Sequence, residues 1–369
     1  MGNLGEPAPP FGRRPRSTPT GAVVRCALAA LLFGVTTPLA AELADDLGAF
    51  RLAGLLYLGA ALVVAPGVLA QRLLAQGTGM AFADPAFRRR ARARRRKAWR
   101  SRPLAVVVVA GGLMGPVLLA AGLARTSSAT AALLLTLEPA AALALAAALF
   151  REPLARRAAA GATLVAVAGA ALVWSAPLPW TGVLLVVAAC ACWAVDDCAV
   201  ALLDGVAPQQ VALAKGAVAG SLNLAVGLVA AGVPEAGPAV LGLAIGAVGY
   251  GLSITLWIGG ARDLGPDRAS PIFASAPFLG ALVAGTVFAQ SITGPQLVAG
   301  AVAAVGVALV ALPARRTEHR VSAVDPADER FSALIVDDDA ITEGAGHYGY
   351  LDEYDDLFDE DLVPLRRSG

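Results

Sequence analysis

Histidine and lysine are nearly missing from this chain of 369 residues: His319 and His347 are the only histidines, and Lys97 and Lys215 the only lysines. Its four cysteines, Cys26, Cys190, Cys192 and Cys198, all fall in apolar runs. Neither a zinc site nor a disulfide framework is supported by that distribution. No G-x-x-x-x-G-K-[ST] loop occurs, which argues against ATP as the driving force. There is also no set of nucleophile, base and metal ligands, so no enzyme and no cofactor is expected. A membrane-embedded lipid-processing enzyme is disfavoured too, because no His cluster or paired carboxylates sit where an interface would be.

What is abundant is apolar surface: 57% of the residues are hydrophobic and the mean hydropathy is +0.66. That exceeds what a soluble core can absorb and reads as a polytopic membrane protein. Ten apolar runs are predicted as spanning helices, at about 21–41, 50–73, 103–124, 127–149, 157–175, 181–203, 209–232, 238–260, 268–289 and 295–313. The first is too long for the apolar core of a signal peptide and lacks a clean cleavage site. The net charge of +1 conceals an asymmetry, since residues 1–313 carry 23 basic and 13 acidic side chains and residues 314–369 carry 6 and 15. Arginines at 13–25, 88–102, 151–157, 262–268 and 315–316 all fall on one side of the predicted spans. By the positive-inside rule that side is the cytoplasm, so both termini are expected there, in the cell membrane.

The most informative run is Thr126 to Pro153, with Glu138 and Pro139 at its middle. A carboxyl at the bilayer centre costs roughly 2.5–3.5 kcal/mol on insertion scales. Proline removes one amide donor and interrupts the helix. Such a pair faces a cavity, or else the carboxyl stays protonated and helps to shape the kink. Pro277 stands 138 residues after Pro139, and LLFGVTTPLA from residue 31 aligns with ACWAVDDCAV at an offset of 160. The difference matches the extra Arg-rich loop of the first half. Interrupted helices at matching positions in two halves point to a transporter's binding site.

Helices six and seven carry the sharpest chemistry. An antiparallel pair places Asp196, Asp197 and Lys215 at one depth, roughly 10 Å from the cytoplasmic end at ~1.5 Å per residue. An ion pair between Lys215 and one aspartate leaves a carboxyl over. That carboxyl either couples transport to protons or binds the ammonium of an amino-acid-like substrate; alternatively Lys215 snorkels and the aspartates only pin the hairpin. Thr36, Thr37, Pro38 and Thr136 offer hydroxyls and helix breaks beside a cavity. Asn223, Ser221, Ser253 and Thr255 either line it or join helices. Tyr250 and Trp257, seven residues apart, lie on one face of helix eight and either stack on a substrate or pack in the core. Glycine pairs at 111 and 115, 216 and 220, and 242 and 246 permit close helix contact.

ALLFGVTTPLA, TSSATAALLLTLEPAAALALAAALFREPL and DRASPIFASAPFLGALVAGTVF resemble the EamA-type transporters of the drug/metabolite transporter superfamily. The resemblance covers residues 22–313. It implies an all-α polytopic membrane protein of ten transmembrane helices, built as two inverted five-helix repeats around a central cavity, with export or exchange of small metabolites. This chain departs from it in Gln290, which stands where Glu152 stands in the first half, and in its basic loop and acidic tail.

The expected organisation is a disordered cytoplasmic N-terminus (1–20), a first repeat (21–175) with a basic cytoplasmic loop (76–102), a second repeat (176–313) and an acidic disordered tail (314–369). The run Arg88 to Arg102, with ten basic residues and Trp99, reads as a topology determinant touching anionic lipid, not as a nucleic-acid site. Because tail and loop carry opposite charge on one side, docking between them would bias the inward-facing state. The expected activity is alternating-access transport of a small organic metabolite, amino-acid-like or drug-like, outward. The alternative is a non-transporting scaffold or sensor that presents the acidic tail.

Overall fold

The structure, a computed structural model, describes residues 19–74, 102–150, 155–174, 180–203, 206–264 and 266–311. The N-terminal segment, almost all of the Arg-rich loop, the Arg151–Glu152 pair and the acidic tail lie outside the described residues.

Every described element is helical, as a backbone in lipid requires when no water is present to satisfy its amides and carbonyls. The helices are α1 (Pro19–Glu42), α2 (Ala44–Leu74), α3 (Arg102–Leu123), α4 (Ser128–Leu134 continued by Leu137–Phe150) and α5 (Arg156–Trp174). They continue with α6 (Trp180–Val200), α7 (Pro208–Ala231), α8 (Ala236–Leu264), α9 (Pro266–Phe273 continued by Ala276–Thr286) and α10 (Gly294–Ala311). Among the described residues nine of these, all but α5, contain stretches long and apolar enough to cross a membrane. Helix α5 has 19 residues and packs lengthwise on α10.

Helix α2 begins earlier than the sequence predicts. The first loop shrinks almost to Leu43, and Asp45 and Asp46 enter the first turn of α2, where carboxylates complement the helix dipole. The change of direction is made instead inside α2 at Gly48, whose φ of 66° suits a residue without a Cβ. Arg51 ties this kink down, donating from Nε to the Leu47 carbonyl at 2.6 Å and from Nη1 to the carbonyls of Ala231 and Gly232 at the end of α7.

The breaks in α4 and α9 fall one turn before their prolines. The non-helical residues are Leu135–Thr136 and Ala274–Ser275, and Pro139 and Pro277 lie in the first turn of the segments that follow. Proline is tolerated there because the first amides of a helix have no partner to lose. Three π-helical segments interrupt the other helices: Val107–Met114 in α3, Lys215–Ala219 in α7 and Gly246–Leu252 in α8. Those in α3 and α8 occupy matching places under the 138-residue offset.

The packing follows the same correspondence. Helix α1 packs on α8 and α9, and α6 packs on α3 and α4; α2 meets α7, α4 meets α9, and α5 meets α10. Exchanging the halves leaves these contacts unchanged, whereas α2 packs far more extensively on α8 than α7 does on α3 and also meets α3 itself. All three glycine pairs lie at crossings, some so close that a Cβ would strike backbone: at Gly246 it would stand 2.0 Å from the Leu56 carbonyl oxygen.

Gly246→Ala must therefore separate α2 from α8, at a cost of about 1–3 kcal/mol. We expect a lower Tm in detergent for this variant and no loss for Gly237→Ala, whose Cβ would meet nothing within 4 Å. Equal Tm values for both would contradict the close crossing.

Candidate functional site

The site grows from α3. A π-helical turn shifts backbone pairing by one residue and leaves carbonyls without their usual donors, which is why such turns gather at functional positions. Side chains from three neighbouring helices supply donors. Tyr57 of α2 donates its hydroxyl to the Gly111 carbonyl at 2.9 Å, and Trp193 of α6 donates its indole N–H to the same oxygen at 3.1 Å. Asn223 of α7 reaches the carbonyls of Gly112 and Leu113 at 3.3 and 3.4 Å.

Gly111 has a second duty. A Cβ there would lie 2.2 Å from Cγ of Asp196, so only glycine lets the carboxyl sit against α3. Asp196 is 3% exposed, and its Oδ2 accepts from Nζ of Lys215, which projects from the π-helical segment of α7. Its other oxygen, Oδ1, is buried without a hydrogen-bond partner. Of the two aspartates it is thus Asp196 that Lys215 meets, while the neighbouring Asp197 is exposed. Glu138 of α4 is half-buried and lies on the stretch of α4 that runs alongside Asp196 and Asp197, between the carbonyls of Leu134 and Ala142 that accept from Cys190 and Cys198 of α6 at 3.6 and 4.0 Å. Three carboxylates and one ammonium from α4, α6 and α7 therefore share one locality.

An aromatic path leads away from these charges. Ring centroids lie 5.9 Å apart for Tyr57 and Tyr250, 5.3 Å for Tyr250 and Phe33, 5.4 Å for Phe33 and Phe273, and 5.9 Å for Phe273 and Trp257. Tyr250 lies inside a π-helical segment, so its relation to Trp257 is set by these intervening rings and not by the seven-residue spacing alone. The indole N–H of Trp257 is buried and unpartnered.

Other candidates turn toward the protein itself. Thr36 and Thr136 donate to their own helices, at the carbonyls of Leu32 (2.9 Å) and Leu133 (2.6 Å). Thr37 and Pro38 are buried in α1. Ser253 donates to the Ala29 carbonyl at 2.8 Å and, like Asn223, joins helices. Ser221 and Thr255 are exposed. Gln290 accepts from the Ala129 amide at 3.2 Å and so caps the start of α4 from the second half. Tyr57, Trp193 and Phe33 are site residues that sequence reasoning missed. Their partners are backbone carbonyls or other rings, which leave no spacing to read. An apolar groove of about 330 Å³, lined by Leu134, Leu137, Gly169, Trp180 and Val187 among others, opens separately between α4, α5 and α6 and includes none of the charged groups.

The sequence pattern of the EamA-like transporter family matches the chain twice, over residues 21–175 and 180–312. The chain belongs to the EamA-like transporter family. Membership marks it as a multi-pass membrane transporter of small molecules, in a family of transporters and not of enzymes. Among solved structures, one crystal structure superposes with a TM-score of 0.52 at 22% identity, covering 79% of this chain and 98% of its own. That likeness concerns the fold. No curated protein matches the sequence.

Within this EamA-like protein, removing one partner of the buried ion pair leaves the other uncompensated, at about 3–5 kcal/mol. Lys215→Ala is expected to lower the Tm in detergent, and Lys215→Ala combined with Asp196→Asn to recover most of the loss. A double variant no more stable than the single one would mean that the pair does not carry the interaction.

Proposed function

We propose that this protein is a secondary transporter that moves a small organic metabolite, amino-acid-like or drug-like, outward across the cell membrane by alternating access. In this reading α1–α5 and α6–α10 are inverted repeats, α5 completes a set of ten spanning helices, and both termini face the cytoplasm. The observation that carries it is the placement of Asp197 and Glu138: one exposed and one half-buried carboxyl beside the buried Asp196–Lys215 pair, on helices long and apolar enough to cross a membrane. Intramembrane ionisable groups are costly to desolvate, and those left over from ion pairs are commonly kept for substrate or proton pathways. The matched packing of the two halves supports the rest, since rocking one against the other would expose this centre to each side in turn. Protonation of Asp197 in one state and release in the other couples the cycle to protons. The Arg-rich loop holds anionic lipid at the cytoplasmic face.

Proteoliposomes loaded with a mixture of amino acids and small metabolites, with and without a pH gradient, test this by mass spectrometry of the transported pool. One compound class should move, at a rate changed by the gradient, and Asp197→Asn should abolish the gradient's effect. No movement by folded, inserted protein would contradict the transporter, and transport indifferent to the gradient would contradict proton coupling.

A further inference from the structure

The charge balance of the centre narrows what it binds. Among the described residues Lys215 is the only ammonium in this cluster, and it is already engaged by Asp196, its side chain only 18% exposed. A zwitterion entering here would find carboxyls for its ammonium and, among the described residues of the cluster, only the engaged Lys215 for its carboxylate. An anion would find only repulsion. Around the pair, Asp197 and Glu138 add two carboxyls to the one that Lys215 already engages; an ammonium entering this low-dielectric setting favours their ionised form and is worth most there as a counter-charge.

The aromatic path is the second, independent feature. Tyr57 stands at its charged end, its hydroxyl on the carbonyl of Gly111, the residue against which the Asp196 carboxyl packs, and Tyr250 lies beside it. Ring faces within about 6 Å of an ammonium attract it through their quadrupoles, most strongly when the cation is desolvated. Beyond them Phe33, Phe273 and Trp257 offer apolar surface to a ligand body. Two buried polar atoms, Oδ1 of Asp196 and Nε1 of Trp257, have no partner at opposite ends of this arrangement. The first can accept from a ligand N–H and the second can donate to a ligand acceptor.

We infer that the Glu138–Asp197 centre with the Tyr57–Tyr250 ring path is a binding site for an organic ammonium bearing an aromatic or extended apolar body, and that it discriminates against the corresponding α-amino acid. This names the substrate class of the transporter proposed above and rests on that reading for its physiological meaning, but not for the binding itself. The charge on the ligand, not its size, sets the preference: the ammonium replaces the missing counter-ion of Asp197 and Glu138, while a second, negative group on the ligand lies against carboxylates.

Three probes of matched body and different charge test it: 2-phenylethylammonium, phenylalanine and 3-phenylpropionate, titrated calorimetrically into the purified full-length protein in detergent. The ammonium is expected to bind at least tenfold more tightly than phenylalanine, with no detectable heat from the anion. Asp197→Asn, checked for an unchanged Tm, should weaken the ammonium at least tenfold, and the wild-type series decides the matter even if that variant does not fold. Equal or tighter binding of phenylalanine or of the anion overturns the inference, as does the absence of binding by all three. Flux of some other cargo without ammonium binding would sink this substrate class and leave the transporter standing. Ammonium-selective binding with no flux of any cargo would uphold the site and sink the transport reading.

Discussion

A charge inside a bundle of spanning helices must be paired, and the Asp196–Lys215 pair dictates much of its surroundings. For the carboxyl to reach its place, α3 can carry no side chain at residue 111, which makes Gly111 obligatory. For Lys215 to point inward, α7 departs from α-helical geometry at the same residue. The π-helical turn of α3 that accepts Asp196 then exposes carbonyls, and Tyr57, Trp193 and Asn223 are drawn in to satisfy them. Four helices are thereby fixed around one ion pair, in an environment where each unmet polar group costs several kcal/mol.

The second half uses the same geometry with different chemistry. Gly249, at the place in α8 that matches Gly111, faces Thr36, which matches Asp196; a Cβ there would lie 1.8 Å from the threonine hydroxyl oxygen. Thr36 is content with its own helix and needs no counter-ion. A glycine in a π-helical turn against a polar residue of a neighbouring helix is thus common to both halves, and only one copy holds charge. Two further polar contacts between the halves, Gln290 on the Ala129 amide and Gln296 on the Thr130 hydroxyl at 3.0 Å, sit at the start of α4 and hold its broken helix in place.

Much of this was legible in the residues, for identifiable reasons. Apolar runs disclose helices because lipid leaves the backbone no alternative, and Pro139 and Pro277 disclosed two interruptions because proline forbids one hydrogen bond wherever it sits. Their position within the break was not disclosed: proline fits the first turn of a new helix as well as it ends an old one. The ion-pair partners could be narrowed by depth, since Asp196, Asp197 and Lys215 lie equally far from one turn. Which aspartate pairs depends on side-chain direction around α6, and direction depends on Gly111, a glycine like many others in the sequence. The π-helical segments VVVAGGLM, KGAVA and GAVGYGL carry no composition that separates them from ordinary helix. The early start of α2 was hidden because Asp45 and Asp46 suit a helix's first turn and a loop equally.

We propose that the carboxyl centre opens to each side of the membrane in turn. The most direct test is a single cysteine at the exposed position 197, made as Asp197→Cys with the four native cysteines replaced, and labelled in proteoliposomes with a membrane-impermeant thiol reagent applied to one side at a time. Labelling from either side, each application reducing what the other can later achieve, is the predicted result. Labelling from one side alone, or from neither, would contradict the account.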